Sequence, residues 1–301
     1  VILVTGGAGF IGSNLAEALV KRGDRVTILD DFSVGDSRNI AHIKARVVHG
    51  SVCDFNLVHE LVSQADVTFH LAVKCLEMCN DNPILAHDVN VGGTFNVCYA
   101  AAKANKKVVY ISSSEVYGSC RYKPMDETHP TNPQSIYGVT KLMGEEYVKF
   151  FHKYYNVPAV IIRPFNSYGP NLRDDRYSCV ITKFIRAVEH GESPIIEGTG
   201  EQSRDWTYVS DTVNGILLLS ELNDAQIMNV GTGTTTTIKD LAQKIMALSG
   251  KNLPLKYAKT RINDVKALEA DFTYAQSYGY EPTISLEEGL RFYMKWLREY
   301  G

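Results

Sequence analysis

Two groups of residues in this chain have the types and spacing to do chemistry. Tyr137 and Lys141 lie four positions apart in Tyr137-Gly138-Val139-Thr140-Lys141, at the start of a stretch with helical periodicity, so both side chains project from one face. An ammonium beside a phenol lowers the phenol's pKa, which lets Tyr137 take a hydroxyl proton as hydride leaves for a dinucleotide, and Lys141 is also placed to hold the nicotinamide ribose. The second group is Thr5-Gly6-Gly7-Ala8-Gly9-Phe10-Ile11-Gly12, which satisfies Gly7-x-Gly9-x-x-Gly12 and the related spacing Gly6-x-x-Gly9-x-x-Gly12. Glycines there allow a tight turn, close backbone approach to a pyrophosphate and packing of the following helix on the preceding strand, and the helix N-terminus faces the negative charge. Each pattern is weak by itself. Together they indicate oxidation of a hydroxyl group with a dinucleotide as acceptor.

Asp30 closes the second predicted strand, where a carboxylate accepts hydrogen bonds from the adenosine ribose hydroxyls. With Asp31 beside it, a 2′-phosphate is repelled, so the expected cofactor is NAD and not NADP. Just after the fifth predicted strand comes Ile111-Ser112-Ser113-Ser114-Glu115-Val116-Tyr117-Gly118. Side chains at the C-terminal end of a parallel strand point into the crevice where open α/β sheets bind ligands.

The elements that must position these residues follow from periodicity. Short apolar runs at Val1–Val4, Val26–Leu29, Ala45–His49, Val67–Leu71, Val108–Ile111 and Val160–Ile162 alternate with helical stretches such as Phe10–Lys21, Leu85–Ala104 and Tyr137–Tyr154. Nearly all-apolar strands alternating with helices predict an α/β fold with a doubly wound parallel sheet covered on both faces. Beyond Ile162 the rhythm loosens, with helices near Ile181–His190, Ser210–Leu222, Ile238–Leu248 and Leu286–Leu297. The expected division is a dinucleotide-binding domain over 1–165, to which a segment near 206–229 returns, and a smaller, loop-rich substrate-binding part mainly over 166–301.

Composition narrows the function. The 301 residues are 45% hydrophobic and 22% charged with a net charge of −3, which supplies no basic footprint for nucleic acid or an anionic membrane. No apolar run approaches a membrane span and no basic leader precedes the first strand, so a cytoplasmic location is expected. The six cysteines are scattered without a disulfide framework and read as reduced thiols. Cys75 and Cys79 have no accompanying ligand pair, and no metal site is expected.

At this point the chain resembles an extended short-chain dehydrogenase/reductase of the NAD-dependent nucleotide-sugar epimerase/dehydratase family. The resemblance runs through the glycine turn, Leu29-Asp30-Asp31, Gly50-Ser51-Val52-Cys53-Asp54, His70-Leu71-Ala72, Asn90-Val91-Gly92-Gly93-Thr94, the serine-rich strand end and the Tyr-Lys pair. It continues through Arg163-Pro164-Phe165-Asn166-Ser167-Tyr168-Gly169-Pro170, Gly200 to Val209, and Arg261-Ile262-Asn263-Asp264-Val265. The resemblance implies that Gly6, Gly9, Phe10, Ile11, Gly12, Leu71 and Ala72 line the NAD site and that Asp54 lies near the adenine. It further implies that Asn166, Arg204 and Arg261 hold the diphosphate and nucleoside of a nucleotide sugar, a role suited to arginine donors.

Members of that family begin by oxidising the sugar at carbon 4, and the next step decides the product. Ser113 takes the place of the family's catalytic Ser or Thr, while Ser114 and Glu115 match the acid/base pair of dehydratases and related decarboxylases. A carboxylate near carbon 5 is the base that elimination requires, because the adjacent ketone acidifies that proton. The leading expectation is therefore an NDP-hexose 4,6-dehydratase, with a UDP-sugar favoured on family frequency. A UDP-hexose 4-epimerase is the alternative; a UDP-uronate decarboxylase and a non-catalytic NAD-binding protein rank lower. Many hexose dehydratases carry Asp-Glu where this chain has Ser114-Glu115, so proton delivery to the leaving hydroxyl needs a relay. Lys74 and Glu77, in the loop after the fourth strand, are either sugar-recognising charges or ordinary solvated ones. By resemblance, the helices over Leu85–Ala104 and Tyr137–Tyr154 build a homodimer interface, with Val91, Phe95 and Tyr99 on the first and Leu142, Tyr147 and Phe150 on the second.

Overall fold

The structure, a computed structural model, describes residues 1–260 and 265–300. Its centre is a parallel sheet of seven strands: β1 (Ile2–Thr5), β2 (Val26–Asp30), β3 (Arg46–His49), β4 (Val67–His70), β5 (Lys107–Ile111), β6 (Ala159–Pro164) and β7 (Asp224–Val230). The order across the sheet is β7-β6-β5-β4-β1-β2-β3. Chain direction reverses its lateral progress at β1, and the crevice beyond the strand ends there is where such sheets bind ligands. The central strands are apolar throughout because both faces are covered; every residue of β1, β2 and β6 is buried.

Helix α1 (Phe10–Arg22) packs on one face with the helix Val209–Leu219, through Leu15, Leu19, Val213 and Ile216. Helices α2 (Phe55–Gln64), α3 (Gly93–Ala104) and α4 (Ile136–Tyr155) cover the other, through Val58, Leu61, Val97, Val148 and Phe151. A separate cluster built on Ile181, Phe184, Trp206, Leu241, Ile245, Tyr293 and Leu297 holds the second half together. It joins the amphipathic helices Val180–Glu189, Ile238–Leu248 and Leu286–Tyr300.

Two elements differ from the pattern read in sequence. The stretch expected as one helix over Leu85–Ala104 is a short helix at Pro83–His87, a π-helical turn at Asp88–Gly92, and then α3. The wide turn brings Asn90 inward, where its Nδ2 donates to Thr140 Oγ1 on α4 at 3.0 Å. The edge strand β7 has no apolar run to announce it. Its register slips between Asp224 and Gln226 around Ala225, whose φ is 50°, and its first residues are exposed or half-buried.

Buried polar groups tie α4 to the sheet. Arg163 on β6 is 1% exposed and Glu145 on α4 is fully buried. Their two parallel bonds measure 2.8 Å from Nε and 2.6 Å from Nη2, and the Ser112 hydroxyl donates to the same carboxylate at 2.5 Å. The guanidinium lies 4.6 Å from the centre of the Tyr117 ring, and the Tyr117 hydroxyl donates to Asn229 Oδ1 at 2.7 Å. Breaking such a pair from one side leaves an uncompensated buried charge. Arg163→Met is expected to lose about 3–5 kcal/mol of stability in urea unfolding; a loss under about 1 kcal/mol would mean that water replaces the guanidinium.

Candidate active site

One large cleft of about 1270 Å³ runs along the C-terminal ends of the strands. Its inner end is the glycine turn. Gly6 has φ +69°, a conformation open to glycine, and a Cβ on it would stand 2.7 Å from the backbone nitrogen of Ala72. A Cβ on Gly12 would strike the Gly6 carbonyl, so strand, turn and helix touch as only glycines permit. Gly9 caps α1 without any side-chain acceptor, which leaves first-turn N–H groups facing the cleft. Phe10, Ile11, Leu71 and Ala72 complete the wall.

Asp30 is 6% exposed and its two oxygens accept from the Ala8 and Phe32 N–H groups, each at 2.8 Å. Burial raises its pKa, and those two bonds oppose the rise. Asp31 also lines the cleft. Its carboxyl lies below the ordinary range despite burial, held there by Ser33 and Lys74. Behind the wall, Thr5 Oγ1 sits 2.7 Å from His70 Nδ1 and His70 Nε2 sits 3.0 Å from Thr94 Oγ1. Complete burial drops the His70 pKa to about 3, so this imidazole is a neutral brace. Asp54 borders the cleft without lining it. Its side chain accepts from Leu57 N as the N-cap of α2, and Gly50 and Val52 from the same segment form the cleft wall.

Ser135 caps α4 by accepting from Gly138 N at 3.0 Å, which sets Tyr137 in the first turn and Lys141 one turn on. Both line the cleft together with Ser113, Ser114 and Glu115. Glu115 N donates to Ser113 Oγ at 3.2 Å, so the serine turn is closed on itself at the end of β5. Tyr137 departs from expectation, because its pKa is raised. Burial is the largest cause, the hydrogen bond with Ser113 pulls downward, and the Glu115 carboxylate pushes upward. Lys141 is 4% exposed with its ammonium 4.7 Å from the Tyr110 ring centre, and burial lowers its pKa to about 7 against the pull of Glu145.

Toward the outer end the cleft is lined by Asn166, Arg204, Trp206, Ile195, Lys183 and Trp296. Asn166 Nδ2 and Trp206 Nε1 are buried donors with no partner among the described residues, which a bound polar ligand would complete. Arg204 donates from Nη1 to the Ser203 carbonyl at 2.9 Å. Arg261 lies outside the described residues. Sequence reasoning missed Trp206 and Trp296 as cleft walls, and nothing in their spacing separates a wall from a core aromatic. Lys74, left between sugar recognition and solvation, is buried beside the end of β2, where its ammonium reaches Ser33 and stands 3.5 Å from Asp31.

A glycine cradle with uncapped helix N–H groups, carboxylates at the end of β2 and a Tyr-Lys pair across the cleft fit a dinucleotide lying along the strand ends. Residues 2–231 match the NAD dependent epimerase/dehydratase family. The chain belongs to that family. This epimerase/dehydratase has NAD as its cofactor. It is 36% identical over 301 residues to a putative UDP-glucose 4-epimerase of Methanocaldococcus jannaschii, covering 99% of this chain and 98% of that one. It is also 36% identical to a UDP-N-acetyl-alpha-D-glucosaminuronate decarboxylase of Bacillus cytotoxicus, covering 99% and 97%. Among solved structures, the UDP-glucose 4-epimerase of Thermotoga maritima with UDP-glucose superposes with a TM-score of 0.95 at 31% identity, covering 99% and 98%. The dTDP-glucose 4,6-dehydratase of Streptomyces venezuelae, solved with NAD, gives 0.93 at 27% identity, covering 99% and 97%.

The Lys141 pKa carries a stability signature. An ordinary lysine titrates near 10.5 and this one near 7, so between those values the unfolded chain holds the extra proton and stability rises with pH. The burial penalty is complete below about pH 7 and gone near 10.5. Lys141→Met, which leaves Glu145 paired to Arg163, is expected to melt above wild type below pH 7, with the gap closing toward pH 10.5. A gap that is constant across thermal melts in that range would contradict the burial argument.

Proposed function

We propose that the enzyme acts on a UDP-sugar and, after transient oxidation at carbon 4, eliminates water as a 4,6-dehydratase. The observation that carries this reading is Glu115, a carboxylate in the cleft close enough to Tyr137 to raise its pKa, on the same turn as Ser113 and Ser114. When bound, NAD supplies the oxidation at carbon 4 and the later return of reducing equivalents. Tyr137 takes the hydroxyl proton, Ser113 holds that oxygen, and Lys141 orients the cofactor ribose. Glu115 removes the proton at carbon 5 and Ser114 relays a proton to the leaving hydroxyl. Asn166, Arg204 and Arg261 are read as the hold on the nucleotide.

The second reading is a 4-epimerase, which needs Tyr137, Lys141 and Ser113 alone. It is favoured by the serine at position 114, a poor acid, and by the epimerases among the relatives. Protein incubated in deuterated water with UDP-sugars, UDP-uronic acids included, and followed by mass spectrometry separates the cases. Loss of water with deuterium gained is expected. An isomer of unchanged mass without exchange makes it a 4-epimerase, and loss of carbon dioxide makes it a decarboxylase. Glu115→Gln is expected to lower turnover by about 10²-fold or more while cofactor reduction on adding substrate persists.

We read residues 1–165 with 206–229 as the cofactor lobe and 166–301 as mainly the substrate lobe. Among the described residues no helix is long and apolar enough to cross a membrane. All six cysteines are free, which suits a cytoplasmic enzyme. Homodimerisation is proposed through the exposed apolar faces of α3 and α4: Phe95, Val139, Met143, Phe150 and Tyr154 are all more than a third exposed. Val91 is buried within the subunit and Leu142 packs beneath, against Val116 and its neighbours, so these two belong to the monomer. Phe150→Glu with Met143→Glu is expected to give a folded monomer by light scattering; a dimer that survives both removes this face from the interface.

A further inference from the structure

The loop after β4 carries Lys74, 5% exposed, at the adenosine end of the cleft. Its backbone is clamped on both sides by one side chain: Lys74 N donates to Asn90 Oδ1 at 2.7 Å, and Asn90 Nδ2 donates to the Lys74 carbonyl at 3.2 Å. Asn90 is in turn bonded to Thr140 on the catalytic helix. The lysine is therefore built into the wall. Its ammonium donates to Ser33 Oγ and lies 3.5 Å from Asp31 Oδ2, whereas Asp30 spends both oxygens on the Ala8 and Phe32 N–H groups.

We infer that Lys74 is a specificity-determining residue of the cofactor site, which relaxes the exclusion of a 2′-phosphate by neutralising Asp31. Two carboxylates at the end of β2 would present a double negative charge to that phosphate. A fixed ammonium between Asp31 and Ser33 reduces the sum to one, on the side of the cleft where the ribose hydroxyls of the adenosine lie. Arg38, also at this end, is engaged with Asp36 through a 2.9 Å bond from Nε. Charges a few ångströms apart in a partly dry cleft are only weakly screened, so one charge changes selectivity measurably. The inference concerns the cofactor end and stands whichever reaction the sugar undergoes.

The test is equilibrium binding. The full chain, freed of nucleotide with charcoal, is titrated with NADH and with NADPH by fluorescence, and the ratio of the two Kd values is taken. Lys74→Gln is expected to raise the preference for NADH by about tenfold, and Asp31→Asn to shift it toward NADPH by a similar factor. Lys74→Arg, which keeps the charge, is expected to hold the wild-type ratio. A ratio unchanged in either Lys74→Gln or Asp31→Asn overturns the inference. Should Lys74→Gln fail to fold, Lys74→Met, which removes the same charge and keeps the apolar stem, decides in its place.

Discussion

The bidentate pair between Glu145 and Arg163 is the constraint on which the rest of the site depends. It joins the middle of α4, which carries Tyr137 and Lys141, to the sixth strand, and Ser112 brings the end of the fifth strand to the same carboxylate. Tyr137, Lys141 and the 113–115 turn thereby share one rigid base. A buried ion pair is weak as a source of stability, since two desolvated ions roughly offset their own attraction. Its value here is positional. From Arg163 the chain of contacts passes by Tyr117 to Asn229, whose Nδ2 donates to the Met125 and Asp271 carbonyls, so one loop from each half of the chain is referenced to the same point.

The electrostatics of the cleft sort by depth. At the cofactor end carboxylates are held by backbone N–H groups and by Lys74, and the neutral His70 braces the first and fourth strands without adding charge. At the reacting centre burial acts in opposite senses on the two partners, raising the Tyr137 phenol and lowering the Lys141 ammonium. Both shifts favour the neutral forms, which keeps the proton on the phenol.

The central sheet and the two chemical motifs are legible in the sequence because each has a physical signature: strands covered on both faces must be continuously apolar, and a phosphate cradle must lack Cβ atoms. The strand β7 is less legible, since an edge strand with a bulge at Ala225 needs no apolar run. Asp54 shows another limit, for its place in the sequence does not disclose that its carboxylate caps α2 by accepting from Leu57 N. Lys74 shows a third. Only the clamp by Asn90, sixteen residues later and inside a π-helical turn, decides toward which end of the cleft its ammonium points.

The floor and the outer wall of the cleft are anchored in different bodies of packing. Tyr137, Lys141 and Ser113 stand on the sheet and its helices, whereas Trp206 and Ile238 belong to the cluster that binds the C-terminal helices to one another. Drift in the second cluster can reshape what the wall admits while the floor keeps its register. Such a molecule inherits its redox step and its choice of sugar separately, and relatives each about a third identical to this chain carry different names on the same base.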